Sequence, residues 1–364
     1  MKVPYASPNL RCGDVARALY LSETDAGKGI KQYFRQLTGK RNVLITNSCR
    51  TALYLAYCAL NVKGEVITSP LTCKVAIDPI IESRNTPVFA DIRLEDLCIQ
   101  PEDIANRITG KTIAIQPIHL GGVSCDMDHI TDVAGKKNLV VIEDCAQSLG
   151  ALYKGRPCGT FGDVACFSLI KNAYGIGGGI LATNDTAIYH KARAMNDRFG
   201  TTSRLLALYR VIRNLLDTQR NNRIGSLLYS RLMDLKGDKT GYKSVTAQLK
   251  KIGAIEKKIA AHQMGHWPAL HRQRRKIGKL YCDQLVAADI MGNRGFSVAD
   301  ASFSRFFVYH STISAQKLIN TLKKMPLKPC TLSKNTAARF RKDLCRLTDA
   351  HKKDWANITT SMII

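Results

Sequence analysis

VVIEDCAQSLGALYKGRPCGTFGDVACFSLIKNAYGIGGG, residues 140–179, decides how the chain reads. An apolar run ends in Glu143 and Asp144, a glycine-studded stretch follows, and VACFSLI (164–170) delivers Lys171 just ahead of Gly177, Gly178 and Gly179. Short apolar runs bounded by turn residues predict buried strands. Glu143, Asp144, Ser168 and Lys171 would then stand where such strands end.

The same grammar extends on both sides. NVLITNS (42–48), GEVITSP (64–70), PVFADI (87–92), TIAIQPIHL (112–120) and GGGILATN (177–184) read as further strands. CRTALYLAYCAL, PEDIANRIT and MDHITDVAGKKN lie between them with apolar residues near helical spacing. This alternation predicts an α/β fold, a mostly parallel sheet flanked by helices. Such sheets gather their chemistry at the carboxyl ends of their strands. Asn47, Ser48, Thr72, His119, Asp144, Gln147, Ser168 and Lys171 all fall there.

A desolvated lysine can form a Schiff base with a carbonyl, and a carboxylate at a strand end can hold a proton on a heteroaromatic nitrogen. Hydroxyls and free amides at helix starts bind phosphate. Together these meet the requirements of a pyridoxal 5'-phosphate site. Singly, a Glu-Asp strand end is an ordinary solvated turn and a lysine an ordinary surface charge. The joint occurrence carries the reading.

Composition bounds the alternatives. The chain has 364 residues, 45% of them hydrophobic, enough for a large globular core. There is no basic leader before an apolar stretch and no apolar run of membrane-spanning length, so a cytoplasmic location is expected. The 12 cysteines are scattered without a CxxC pair and read as reduced, buried thiols. Charge is uneven: residues 1–190 carry 20 Lys and Arg against 18 Asp and Glu, whereas residues 191–364 carry 34 against 11. The basic surface belongs to the second half.

IEDCAQSLGA, GTFGDVACFS and KNAYGIGGGILATND resemble the DegT/StrS-type nucleotide-sugar aminotransferases, and LITNSCRTAL and IHLGGVSCDMD resemble two further landmarks of that family. The likeness runs from about residue 10 to 195. It implies the fold type I architecture of pyridoxal phosphate enzymes, with a large domain over residues 1–240 and a small C-terminal domain over 241–364. It also implies a homodimer that moves an amino group from an amino acid, glutamate by expectation, to a nucleotide-linked keto-sugar in polysaccharide or O-antigen sugar synthesis. By this resemblance Lys171 would be the cofactor-bearing lysine and proton carrier, and Asp144 would pair with the pyridine nitrogen. Gln147 would approach the ring's phenolic oxygen, while Ser168 and the turn Ser48, Cys49, Arg50, Thr51 would hold the phosphate. His119 has a supporting place, and Cys73 stands beside the ring.

Four departures from the family pattern stand out. Ser168 and Lys171 are three positions apart where five is usual. Arg50 occupies a place usually held by a small residue, and Cys73 one usually held by a stacking aromatic. The segment that in the family crosses to the partner's phosphate has no clean counterpart; TGYKSVTAQ (240–248) is the nearest offer. The family's chain normally continues further than WANITTSMII, so a shortened small domain is expected.

RLLALYRVIRNLLDTQRNNRIGSLLYSRLMDLKG (204–237) sets apolar residues at helical spacing among Arg204, Arg210, Arg213 and Arg220. A basic amphipathic helix can lie on an anionic membrane surface or pack as an ordinary helix with a solvated basic face. Nucleic acid ranks below both, because no zinc-finger, recognition-helix or RNA-binding aromatic pattern accompanies the charge. Residues 245–285 read as helical, and SFSRFFVYHST (302–312) as a strand followed by the helix SAQKLINTLKKM. Two other readings remain: a dehydratase-like relative, which Lys171 argues against, and a non-catalytic member acting through its basic half.

Overall fold

The computed structural model describes residues 10–93, 95–173, 175–218, 244–287, 291–292, 300–304 and 308–309. Its elements in chain order are α1 (Cys12–Tyr20), α2 (Glu23–Thr38), β1 (Asn42–Thr46), α3 (Cys49–Ala59), β2 (Glu65–Thr68), α4 (Lys74–Glu82) and β3 (Thr86–Phe89). There follow α5 (Pro101–Arg107), β4 (Thr112–Gln116), α6 (Met127–Lys136), β5 (Val140–Cys145), β6 (Leu152–Tyr153), β7 (Arg156–Pro157), β8 (Val164–Ser168) and β9 (Gly179–Thr183). The chain continues through α7 (Thr186–Asp197), α8 (Arg204–Thr218) and α9 (Ala254–Ala287), and the pairs 291–292 and 308–309 form a short antiparallel ladder, β10 with β11.

Seven strands make one sheet in the order β1-β9-β8-β5-β4-β2-β3. From β8 to β3 all neighbours are parallel, and β9 alone runs against both of its neighbours. Because β9 is reversed, its first residue, Gly179, lies at the edge where β1 and β8 end, opposite Thr46 and Ser168. The strands expected from the sequence therefore form, and their carboxyl ends share one edge.

Side chains alternate between the faces of this sheet with the period of two that a pleated strand imposes. Val43, Ile45, Ala165, Phe167, Ile180 and Ala182 join Ile30 and Phe34 of α2 and Trp267 of α9 in one core. Leu44, Val164, Cys166 and Leu181 point the other way, to Ala52, Leu53 and Tyr57 of α3 and Ile188 and Ala192 of α7. Phe34 and Phe167 are fully buried with ring centroids 5.0 Å apart.

The second half departs from expectation at one boundary. Residues 249–253 are not helical, and α9 starts only at Ala254; Lys251 instead bridges to Thr201, its N–H donating to the carbonyl of Gly200. Helix α8 buries Ala207, Val211 and Asn214 and exposes Leu205, Leu208 and Ile212. Arg210, counted among its basic residues, is ion-paired with the fully buried Glu256 of α9. Residues 219–243 of the basic segment and most of the expected small domain, including 310–364, lie outside the described residues. Among the described residues no helix is long and apolar enough to cross a membrane.

Candidate functional site

The carboxyl edge of the sheet is furnished residue by residue. At the end of β1, Ser48 caps α3: its Oγ accepts the Thr51 N–H at 3.1 Å. Thr51 donates its hydroxyl hydrogen to Asn47 Oδ1 at 2.6 Å. That hydrogen being spent, the 3.0 Å contact between Ser48 Oγ and Thr51 Oγ1 has Ser48 as donor. A relay thus runs from Ser48 through Thr51 to Asn47, whose Nδ2 donates to the carbonyl of Gln248 at 3.0 Å. Cys49 follows the cap, buried, with its Sγ on the carbonyl of Cys166 at 3.5 Å.

Glycine shapes the wall opposite. Gly178 takes φ +107° and donates its N–H to the carbonyl of Asn47 at 2.9 Å. A Cβ on Gly179 would sit 2.2 Å from the Ser48 carbonyl carbon and 2.3 Å from the Cys49 nitrogen. Only glycine lets β9 start this close to the helix cap, which leaves the first turn of α3 facing Ser168 across Gly179.

Asp144, at the end of β5, is 4% exposed. Its Oδ1 accepts the Ala146 N–H at 2.9 Å. Burial raises its pKa above the ordinary 3.8, opposed by the Lys171 ammonium, the Ala146 amide, His119 and the Gln116 side chain. Lys171 is half-buried in the turn after β8, next to the exposed Ile170. Asp144, Lys171, Cys73 and Cys166 all bear on the Cys49 thiol, whose pKa burial lifts well above its usual value. Strand register puts carboxylate, lysine turn and helix cap along one edge: Asp144 pairs with Cys166 two residues before Ser168, and Ser168 and Thr46 flank Gly179, while Cys73 leads into α4.

Gln147 is 7% exposed and accepts the Gly121 N–H on Oε1 at 3.1 Å, so its amide hydrogens are the end that remains to donate. His119 is completely buried, with Nε2 3.1 Å from Glu143 Oε2. The Cys125 N–H points at Nδ1 from 3.1 Å and occupies the position a second ring proton would take. The ring hydrogen therefore sits on Nε2, donated to Glu143, and the Cys125 amide holds Nδ1 as an acceptor; burial also works against a second proton, whereas Cys158 and Glu143 favour one and push the pKa up to about 9.

Several contributors were given no role by the sequence reading. Glu143 accepts four hydrogens: His119 Nε2–H and the Gly159 N–H (2.7 Å) on Oε2, and the Phe161 (2.9 Å) and Gly162 (2.6 Å) N–H groups on Oε1. Burial works against its charged form, yet these bonds prevail and hold its pKa below 4.5. Tyr57 donates its hydroxyl to Gln116 Oε1, which turns the Gln116 amide hydrogens towards Ala76 O and Asp144. Asn172, immediately after Lys171, donates from Nδ2 to the carbonyls of Gln147 (3.1 Å) and Leu149 (3.0 Å) and ties the lysine turn to the Gln147 loop. Its Oδ1 is a buried acceptor with no partner among the described residues.

The stretch TGYKSVTAQ reaches this site within its own chain. Glu82 of α4 accepts the Val245 (2.7 Å) and Thr246 (2.8 Å) N–H groups and so fixes the turn at Thr246–Gln248, whose last carbonyl holds Asn47. Residues 240–243 lie outside the described residues.

The arrangement fits pyridoxal phosphate. A buried carboxylate whose charge burial disfavours suits a protonated ring nitrogen, and a helix N-terminus behind a glycine wall suits a phosphate. A neighbouring amine can carry protons between them.

Known proteins share the family pattern and the fold. The family model of the DegT/DnrJ/EryC1/StrS aminotransferases matches residues 12–329. The spore coat polysaccharide biosynthesis protein SpsC of Bacillus subtilis is 37% identical over 207 residues, 53% of this chain and 52% of the relative. GDP-perosamine synthase of Escherichia coli O157:H7 is 42% identical over 144 residues, 38% of this chain and 40% of the relative. The chain thus spans about half the length, or less, of these two curated relatives. Among solved structures, Helicobacter pylori PseC, an aminotransferase involved in the biosynthesis of pseudoaminic acid, superposes with a TM-score of 0.71 at 18% identity, covering 100% of this chain and 93% of PseC. At that identity the likeness shows the fold, which is the large-sheet architecture described above. With the family model spanning most of the chain and the fold in agreement, this protein belongs to the DegT/DnrJ/EryC1/StrS aminotransferase family.

Proposed function

We propose that the protein is a pyridoxal phosphate-dependent aminotransferase that moves an amino group from an amino acid, with glutamate as the expected donor, to a nucleotide-linked keto-sugar. The observation that carries this is the meeting of Lys171, buried Asp144 and the capped N-terminus of α3 at one sheet edge. The family and the polysaccharide and perosamine names of its relatives support the substrate class.

When bound, the cofactor supplies an electron sink for the substrate carbon. The chain's own residues do the rest. Asp144 holds a proton on the ring nitrogen, and that positive charge relieves its own buried state. Lys171 would hold the cofactor through its carbonyl and would carry a proton between substrate carbon and cofactor. The Gln147 amide donates towards the ring's phenolic oxygen. Cys49, Arg50, Thr51 and Ser168 cradle the phosphate, and Ser48 joins them by turning its hydroxyl away from Thr51. Cys73 would stand beside the ring, where an aromatic would give more stacking. Two chains would pair as a homodimer. The exposed Leu205, Leu208 and Ile212 of α8 would seat on the second chain or on the cytoplasmic face of an anionic membrane.

The test is the visible absorption of purified protein with pyridoxal phosphate, before and after glutamate, beside Lys171→Ala. A cofactor band that glutamate bleaches, absent from the variant, is expected. Failure to take up the cofactor at all would overturn the enzyme reading and favour the non-catalytic one.

A further inference from the structure

Away from the sheet edge, α1 and α9 bring three side chains with metal-ligand chemistry together. His262 and His266 are one turn apart on α9, and Asp14 stands in the first turn of α1. One ligand atom from each lies within 4.8 Å of the other two. The imidazoles are close, with ring centroids 4.9 Å apart at 73°.

The details fit a cation better than an ion pair. His262 Nε2 and Asp14 Oδ1 are 3.4 Å apart, long for a hydrogen bond. Bonds of about 2.0–2.1 Å to a tetrahedral zinc ion put neighbouring ligand atoms roughly 3.3 Å apart. The two carboxylate oxygens also have separate duties: Oδ2 accepts the Arg11 N–H at 3.0 Å, orienting the group and leaving Oδ1 towards the histidines. The frame is rigid, because Val15 and Ala18 of α1 pack with Ile255 and Ile259 of α9 and with Leu10 in one apolar cluster. Nearby lysines are drawn aside, Lys257 to Glu23 and Lys258 to the carbonyl of Leu19. His266 is exposed, so a fourth position stays open to water.

We infer that Asp14, His262 and His266 form a binding site for a borderline divalent cation, Zn2+ in the first place, which clamps α1 onto α9. Two neutral imidazoles and one carboxylate select such an ion over Mg2+ or Ca2+, which prefer an all-oxygen shell. A bound ion stabilises whatever conformation presents all three ligands together. The site therefore ties the start of the chain to the helix that backs the catalytic sheet.

The test uses the full-length chain with Co2+ as a spectroscopic probe and Zn2+ as competitor, in wild type, His266→Ala and Asp14→Asn. His266 is exposed, so its removal leaves the fold intact. One equivalent of Co2+ should give visible d–d bands with no thiolate charge-transfer band, be displaced by Zn2+, and slow amide hydrogen exchange across residues 12–20. Each variant should weaken binding at least about tenfold, as losing a ligand costs no less than losing an outer-shell partner. A thiolate band, which would place the ion on cysteines, overturns the proposal. So does binding that His266→Ala leaves unchanged, or no binding at micromolar Co2+.

Discussion

Glu143 and Asp144 are adjacent carboxylates on one strand, and replacing each by its amide should produce opposite phenotypes. In Glu143→Gln one oxygen becomes an NH2 group facing two hydrogen donors: either the His119 and Gly159 pair or the Phe161 and Gly162 pair. Two donors then lose their acceptor inside the protein. Each orphaned donor costs about 1–3 kcal/mol, so the variant should lose about 2–6 kcal/mol. That is a large part of the roughly 5–15 kcal/mol that holds a domain together. In Asp144→Asn the Ala146 N–H keeps an oxygen acceptor and the Gln116 amide loses a charged one, a loss offset by removing a charge that burial disfavours. Stability should stay within about 1 kcal/mol of wild type, while turnover falls on the order of a hundredfold or more because the ring nitrogen loses its anionic partner. Urea denaturation with the midpoint and slope fitted separately measures the first quantity. Absorption-monitored half-reactions with glutamate measure the second. A Glu143→Gln midpoint equal to wild type, or an Asp144→Asn variant as unstable as its neighbour, would refute the division of labour between the two residues.

Four further outcomes are expected. Gly179→Ala should weaken cofactor affinity at least about tenfold in a spectroscopic titration, since its Cβ meets backbone of Ser48 and Cys49 rather than a side chain that can yield. Glu82→Gln should also raise the cofactor dissociation constant without touching the lysine, by loosening the turn at Thr246–Gln248 that holds Asn47; an unchanged constant would separate that turn from the phosphate cup. Phe34→Ala should cost about 3–5 kcal/mol in urea unfolding, as expected for deleting a fully buried ring packed on Phe167. Acid should destabilise the fold through Glu143: its folded pKa is lowered, so its contribution is complete above about pH 4.5 and disappears as pH falls through the folded value. Glu143→Gln should flatten that part of the stability–pH curve.

The amino-acid sequence by itself determined the strands, their order of helices and strands, and the residues at their ends. Apolar runs closed by Asp144, Ser168 or Asn47 are local patterns, and a parallel sheet aligns such ends whatever the distant chain does. The glycine cluster at 177–179 and Lys171 just before it were legible for the same reason. What only the tertiary structure decided are the interactions between segments far apart in the chain. Glu143 looked like one half of a solvated turn, yet three amides 16 to 19 residues later and His119 turn it into a buried anchor. Gln116 and Tyr57 gave no signal because their value lies in meeting each other beneath Asp144. The link from Glu82 through residues 245–248 to Asn47, the pairing of Arg210 with Glu256, and the approach of Asp14 to His262 and His266 span 46 to 252 residues of sequence. Periodicity and motif spacing report what a residue's neighbours along the chain require; hydrogen-bond satisfaction and buried charge are settled between elements, and only packing brings those elements together.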